Sequence, residues 1–245
     1  MCYGPLHKRE VSRRERIVIM KTYELGDKDS GIVLIQPAGG HELEGIKREF
    51  EAIASSCGRN FRLIAAEIED WNRDLSPWEA PAVFGKENFG RGAKETLESL
   101  LGMCTDKSKT YCIGGYSLAG LFALWAAYQT DVFSGIAAAS PSMWFPGFTE
   151  YMEKSDLKAG TVYLSLGDRE EKTRNPLMAT VGDRMRRAYD LLDSRGLCCI
   201  LEWNEGNHFK DPDLRMAKAF SWLLSSISAD DVDTQNNAGV VNDPD

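Results

Sequence analysis

The stretch that decides the fold is Thr110-Tyr-Cys-Ile-Gly-Gly-Tyr-Ser-Leu-Ala-Gly120. Its first half is a short apolar run, which is typical of a strand buried on both faces. Its second half opens an apolar helix that continues to Gln129, with Ser117 at the junction. A sharp strand-to-helix turn strains its central residue, and only small neighbours such as Gly115 and Ala119 let the turn pack. The pattern predicts a serine Oγ exposed at the carboxyl end of a buried strand.

The alternation of strand and helix continues on both sides of this turn. Apolar or alternating runs predict further strands at 16–23, 31–36, 62–67, 135–139, 161–166 and 198–203. Helical spacing of apolar residues predicts helices at 46–57, 89–103, 177–191 and 211–227, the last with Asp211 as its N-cap. Such alternation implies a mostly parallel sheet with helices on both faces. We predict the α/β class and, given the serine turn, an α/β-hydrolase fold without a large cap domain.

Length and composition set the organisation of the chain. Its 245 residues suffice for one domain, which we place at 31–227 together with an N-terminal segment at 1–30 that contributes an edge strand. Residues 228–245 are rich in Asp, Asn and Gly, so we expect a disordered acidic tail. Oligomeric state is not predicted by any feature of the sequence.

The charge balance excludes several classes of partner. The net charge of −8 disfavours nucleic acid and anionic membranes, which both reward clustered Lys and Arg. The N-terminus does not resemble a secretory signal, and no apolar run is long enough to span a membrane, so we expect a cytoplasmic protein. The six cysteines lack the spacing of zinc ligands or of a disulfide framework, and no metal site is predicted.

A serine nucleophile needs a base, and the chain has only three histidines. His7 precedes the first strand and His41 follows Gly39-Gly40. His208 lies in a turn between the last strand and the last helix, where the α/β-hydrolase order of serine, acid and histidine places the base. We therefore predict His208 as the base of Ser117, although an incidental serine in a tight turn is the alternative.

The acid of the triad is expected in the loop after Leu166. This loop reads Gly167-Asp-Arg-Glu-Glu-Lys172 and offers three carboxylates. The acid must be fixed and partly buried in order to orient the imidazole and stabilise its cation. We favour Glu170, three residues after the glycine, over Asp168, with Glu171 as a third choice.

Two further groups of residues are expected around the serine. The backbone N–H of Leu118 and an N–H of Gly39 or Gly40 are the candidate oxyanion donors. Loops at the carboxyl ends of the strands supply candidate substrate-pocket residues. These are His41, Tyr116, Trp71 and Trp144, with Trp78 as a further aromatic, and for each tryptophan packing in the core is the alternative.

These motifs resemble the esterase family of α/β hydrolases that includes esterase D-like, feruloyl-esterase-like and enterochelin-esterase-like enzymes. The resemblance covers about 31–224 and rests on the serine turn at 114–120, the Ser140-Pro-Ser-Met-Trp144 segment and the turn at 206–208. It implies hydrolysis of carboxylic esters through an acyl-enzyme, with no metal or organic cofactor. The chain lacks a basic cluster suited to anionic siderophores.

The sequence thus predicts a serine esterase for small-molecule acyl or aryl esters. An acyltransferase that uses the same serine is one alternative. A catalytically degenerate hydrolase fold that serves as a binding module is another.

Overall fold

The computed structural model describes residues 20–227, which form a seven-stranded sheet between two layers of helices. The predicted tail at 228–245, His7, and the first half of the strand predicted at 16–23 lie outside the described residues. The strands are β1 (Thr22–Gly26), β2 (Ile32–Gly39), β3 (Arg62–Ile68), β4 (Thr110–Tyr116), β5 (Phe133–Ala139), β6 (Thr161–Gly167) and β7 (Cys198–Asn204). The helices are α1 (Ile46–Cys57), α2 (Trp71–Asp74), α3 (Ala93–Leu101), α4 (Leu118–Gln129), α5 (Phe148–Lys154), α6 (Val181–Ser194) and α7 (Pro212–Ser226), with a 3-10 turn at Met178–Thr180.

The sheet has the order β1-β3-β2-β4-β5-β6-β7. All neighbours pair in parallel except β1, which is an antiparallel edge strand against β3. The carboxyl ends of the parallel strands therefore meet along one edge of the sheet, where an α/β sheet holds its ligands. The predicted mostly parallel sheet with helices on both faces is confirmed.

Two apolar cores cover the two faces of the sheet. Helices α1 and α7 lie together over one face, and α3, α4, α5 and α6 cover the other. Helix α4 is buried on every side, which explains why its sequence is apolar throughout rather than amphipathic. The serine turn is thus held by the most deeply packed helix of the molecule.

Some predicted boundaries differ from the structure. Within residues 20–227 the first strand begins at Thr22, and positions 16–19 of the predicted strand lie outside this range. The helix predicted from Phe89 begins at Ala93, because the amides of Gly90 and Gly92 bond to α2 carbonyls and Phe89 pairs with Ala80.

Asp211 precedes α7 as predicted, but its side chain makes no capping hydrogen bond. Its backbone adopts a left-handed conformation, with φ of 48°. Its carboxylate lies 3.9 Å from the guanidinium of Arg48 instead.

Candidate active site

Ser117 occupies the strained turn between β4 and α4. Its φ of 57° and ψ of −122° are unusual for a residue with a side chain. A Cβ added to Gly115 would lie 2.7 Å from the Cβ of Ala119, and one added to Gly120 would lie 2.8 Å from the Gly115 carbonyl oxygen. Such a turn usually has the pattern Gly-x-Ser-x-Gly, and alanine is accommodated at 119 in place of the second glycine because Gly115 opposite it has no side chain.

The Ser117 hydroxyl is the first member of a chain of hydrogen bonds. Its Oγ lies 3.0 Å from Nε2 of His208, and Nδ1 of the same ring lies 2.7 Å from Oε2 of Glu170. The serine comes from the end of β4, the histidine from the turn after β7 and the glutamate from the turn after β6. The structure therefore brings together the three side chains that the sequence suggested.

Glu170 is fixed through its other carboxylate oxygen. Oε1 accepts hydrogen bonds from the Gly167 amide at 2.7 Å, from Ser140 Oγ at 2.7 Å and from Arg215 at 2.9 Å. Burial acts to raise the pKa of Glu170, but hydrogen bonds from His208, Ser140 and the Gly167 amide outweigh it. The pKa lies below its ordinary value, so the side chain is a carboxylate at neutral pH, as a group that stabilises an imidazolium must be.

The two alternative acids point elsewhere. Asp168 accepts a 2.7 Å hydrogen bond from the Gly206 amide and so ties the β6 turn to the turn that carries His208. Glu171 pairs with Arg186 on α6. Neither carboxylate is recorded as bonding to the imidazole, and in this arrangement Glu170 is the acid of the candidate triad.

Arg215 is a site residue that the sequence reasoning missed. Its side chain is buried, and Nη1 donates to Glu170, to Ser140 Oγ and to the Tyr116 hydroxyl. Nη2 donates to the carbonyls of Glu205 and Asn207, on either side of Gly206. The sequence does contain a signal for this residue. Arg215 precedes Ala219 and Phe220 by four and five positions, which places it on the buried face of α7.

The candidate oxyanion donors differ in whether the protein already engages their amides. Leu118 is the first residue of α4, where amides are free of helical partners. Strand β2 pairs with β4 as far as Ile35 and Ile113, so the Gly39-Gly40 turn follows the strand next to the one that carries the serine. The Gly39 amide donates to Glu42 Oε2 at 2.7 Å, which engages that donor. No hydrogen bond of the Gly40 amide is recorded within residues 20–227, so Gly40 is the better candidate.

A cavity of about 900 Å³ opens over Ser117 and His208. All four predicted pocket residues line it. Trp144 is buried in the wall, Trp71 meets the His41 ring edge-on, and Tyr116 donates its hydroxyl to the His208 carbonyl. The remaining apolar lining comes from Phe84, Pro141, Met178, Val181, Phe209, Pro212 and Met216.

Trp78 does not belong to this wall. It packs against Phe145, Phe148 and Tyr151, and its Nε1 donates to the Pro146 carbonyl. The prediction that Trp78 lines the site is wrong, because the loop after β3 turns this side chain into the core under α5. Phe84 of the same loop, which the sequence analysis did not single out, faces the cavity instead.

Two further features are absent from the part of the chain that the structure describes. Residues 20–227 hold no cluster of three His, Cys, Asp or Glu side chains arranged to bind a metal ion. No helix in that range combines the length and the apolar composition needed to cross a bilayer.

Known proteins resemble this chain in structure rather than in sequence. No family model matches it, and no curated relative was found. The siderophore hydrolase EstA from Aspergillus nidulans superposes with a TM-score of 0.59 at 18% identity, covering 93% of this chain and all of that one. EstB of the same organism superposes with a TM-score of 0.55 at 16% identity, covering 78% of this chain and 81% of that one. Est1E from Butyrivibrio proteoclasticus superposes with a TM-score of 0.51 at 14% identity, covering 84% of this chain and 93% of that one. These likenesses and the sheet confirm the predicted α/β-hydrolase fold.

Proposed function

We propose that the protein is a serine hydrolase that cleaves carboxylic esters of small molecules through an acyl-enzyme. The observation that carries the proposal is the hydrogen-bonded chain from Ser117 through His208 to Glu170, which opens into a cavity. Its structural neighbours include siderophore hydrolases and a ferulic acid esterase, which supports ester chemistry as the class. The apolar wall with Trp71 and Trp144 suits an acyl or aryl group.

In the first half-reaction Ser117 Oγ attacks the ester carbonyl carbon while His208 Nε2 takes the hydroxyl proton. The carbonyl oxygen gains the negative charge and accepts hydrogen bonds from the amides of Leu118 and Gly40. Glu170 stabilises the imidazolium without taking its proton. Collapse of the intermediate breaks the bond to the alcohol oxygen, which leaves with the proton from His208.

In the second half-reaction a water molecule replaces the alcohol. His208 takes a proton from the water as its oxygen attacks the acyl carbon, and then returns the proton to Ser117 Oγ as the acid leaves. An alcohol that enters in place of water would give acyl transfer with the same residues.

A fluorophosphonate probe tests the nucleophile directly, because it forms a covalent bond with an activated serine. We expect labelling of the wild-type protein and none of Ser117→Ala. Ser142→Ala is the matched control, since its Oγ lies 3.3 Å from that of Ser117 and makes no bond to His208. Absence of labelling in the wild type, or equal labelling of Ser117→Ala, would contradict the proposal and favour a binding module.

The acyl acceptor and the size of the substrate need separate assays. A series of 4-nitrophenyl esters of increasing acyl length measures how much of the cavity the acyl group fills. Product analysis with added alcohols then separates the two reactions. Free acid as the main product supports hydrolysis, whereas a new ester as the main product supports acyl transfer.

A further inference from the structure

One end of the cavity is built from polar side chains that the proposed reaction does not use. Gln36 on β2 and Glu49 on α1 are 2% and 1% exposed, and Gln36 Nε2 donates to Glu49 Oε2 at 3.2 Å. Glu42 lies in the loop between these elements. All three line the same cavity as Ser117. We call Gln36, Glu42 and Glu49 the carboxyl end of the cavity, after the side-chain carboxyl groups of the two glutamates.

The buried oxygens of this end are not fully used by the protein. Oε1 of Gln36 and Oε1 of Glu49 have no hydrogen-bond partner within residues 20–227. Buried polar atoms without partners are uncommon and costly, since they have lost their bonds to water. Two unpartnered acceptors on hydrogen-bonded side chains that line a cavity therefore favour a ligand that brings hydrogen-bond donors.

The carboxyl groups at this end also have no basic partner within residues 20–227. Among residues 20–227, Arg48 is the only lysine or arginine that lines the cavity, and its guanidinium is bound to Asp213. Glu170 is already paired with Arg215. The remaining carboxyl groups of the lining belong to Glu42, Glu44 and Glu49. Within residues 20–227, none of them forms an ion pair.

Burial disfavours the charged form of these carboxyl groups. It raises the pKa of Glu42 to about 7, partly offset by the Gly39 amide, and it raises the pKa of Glu49 well above its usual range. The charges of Glu42 and Asp213 raise the pKa of Glu49 further. A cation placed between Glu42 and Glu49 would stabilise both carboxylates and would satisfy the unpartnered oxygens.

We propose that the carboxyl end of the cavity is a subsite for a primary ammonium group, so that the natural ester carries a cationic amine. An ammonium group is compact and has three donors and no acceptor, which matches a pocket whose unpartnered polar atoms are acceptor oxygens when its carboxyls are ionised. The aromatic wall then holds the apolar part of the same molecule. The assignment of this amine to a substrate rests on the proposed ester hydrolysis, whereas the subsite itself is a claim about binding.

The first experiment measures binding without catalysis. Hexylammonium chloride and 1-hexanol are titrated into Ser117→Ala by calorimetry at pH 7.5, because they share an apolar chain and differ in charge. We expect hexylammonium to bind at least tenfold more tightly than hexanol. Equal affinity, or no binding of hexylammonium, would overturn the subsite.

The second experiment locates the charge. In the Ser117→Ala background, Glu42→Gln and Glu49→Gln should each reduce the preference for hexylammonium over hexanol by at least tenfold. Glu51→Gln is the matched control, because Glu51 also belongs to the α1 region but is exposed, does not line the cavity and pairs with Lys47. Circular dichroism checks that each variant is folded. If Glu51→Gln lowers the preference as much as Glu42→Gln, a general charge effect replaces the proposal.

The third experiment connects the subsite to the reaction. With active wild-type protein, hexylammonium should inhibit hydrolysis of 4-nitrophenyl butyrate competitively, and purely non-competitive inhibition would overturn the link to the site. Ester hydrolysis without ammonium binding refutes the subsite and leaves the proposed function standing. Ammonium binding by a protein that neither hydrolyses esters nor reacts with the fluorophosphonate refutes the proposed function alone.

Discussion

Replacing Arg215 by methionine tests whether the buried guanidinium holds the candidate triad in place. The side chain is 3% exposed, and it bonds to Glu170, to Ser140, to Tyr116 and to two carbonyls of the turn that carries His208. Methionine fills much of the same volume but makes none of these bonds. Glu170 would keep its bonds to the Gly167 amide and Ser140 but would lose its buried counter-charge.

The expected loss of stability follows from the loss of the buried ion pair between Arg215 and Glu170. Removing one partner of a buried ion pair costs about 3–5 kcal/mol, because the remaining charge is left uncompensated. The bonds that Glu170 retains favour the lower figure. For a domain of this size, 1 kcal/mol corresponds to about 2–4 °C in Tm, so about 3 kcal/mol lowers Tm by roughly 6–12 °C. Because the loosened turn displaces His208, we also expect kcat to fall by about 100-fold at a temperature where the variant is folded.

Urea denaturation, thermal unfolding and ester kinetics measure these effects. Lys218→Met is the matched control, because it removes the same charge from the same helix at a side chain that is 55% exposed and paired with Glu202. That exposed pair is worth at most about 1 kcal/mol, and we expect near-normal kcat. If Arg215→Met is as stable and as active as Lys218→Met, the buried guanidinium does not position the acid and this reasoning fails.

Three further predictions concern the triad and its turn. Glu170→Gln should lower kcat by about 10³–10⁴-fold, whereas Glu171→Gln should change it by less than about threefold, and steady-state kinetics with one ester compares them. The pKa of Glu170 lies below its ordinary value of 4.5, so its carboxylate contributes stability above pH 4.5 that is lost as the pH falls through the lowered pKa. Urea titrations from pH 7 to pH 3 should therefore show the stability gap between wild type and Glu170→Gln closing on the acid side, and a constant gap would contradict this. Gly115→Ala should abolish folding or cost more than about 3 kcal/mol, since its Cβ would lie 2.4 Å from the Ala119 carbonyl carbon, while Ala119→Gly should cost only about 1 kcal/mol.

The sequence predicted the fold well because its strongest signals are local. Helix α4 begins at Leu118 and ends at Gln129 as predicted, since a glycine-rich turn precedes it and an apolar run fills it. The predicted start of α3 at Phe89 was wrong, because periodicity carries no information about the contact that delays it to Ala93. The amides of Gly90 and Gly92 are used by carbonyls of α2, and that contact depends on where the loop after β3 packs.

The candidate site was predictable where chain order constrains it and not where packing does. His208 followed from the scarcity of histidines and the order of the elements. The choice among Asp168, Glu170 and Glu171 stayed open, because three neighbouring carboxylates in one turn differ only in their partners. Arg215 could not be assigned a role from the sequence, since its five hydrogen-bond acceptors come from segments far apart in the chain.

Helix α7 couples the two halves of the cavity through residues that are two apart. Asp213 in its first turn binds Arg48, and so withdraws the one lining arginine from Glu42 and Glu49. Arg215 binds Glu170 and the turn of His208. A displacement at the start of α7 therefore changes the proposed ammonium subsite and the candidate triad together. For this reason Asp213→Asn is a poor test of the subsite, whereas Glu42→Gln acts from the loop between β2 and α1, Glu49→Gln acts from α1, and both leave α7 in place.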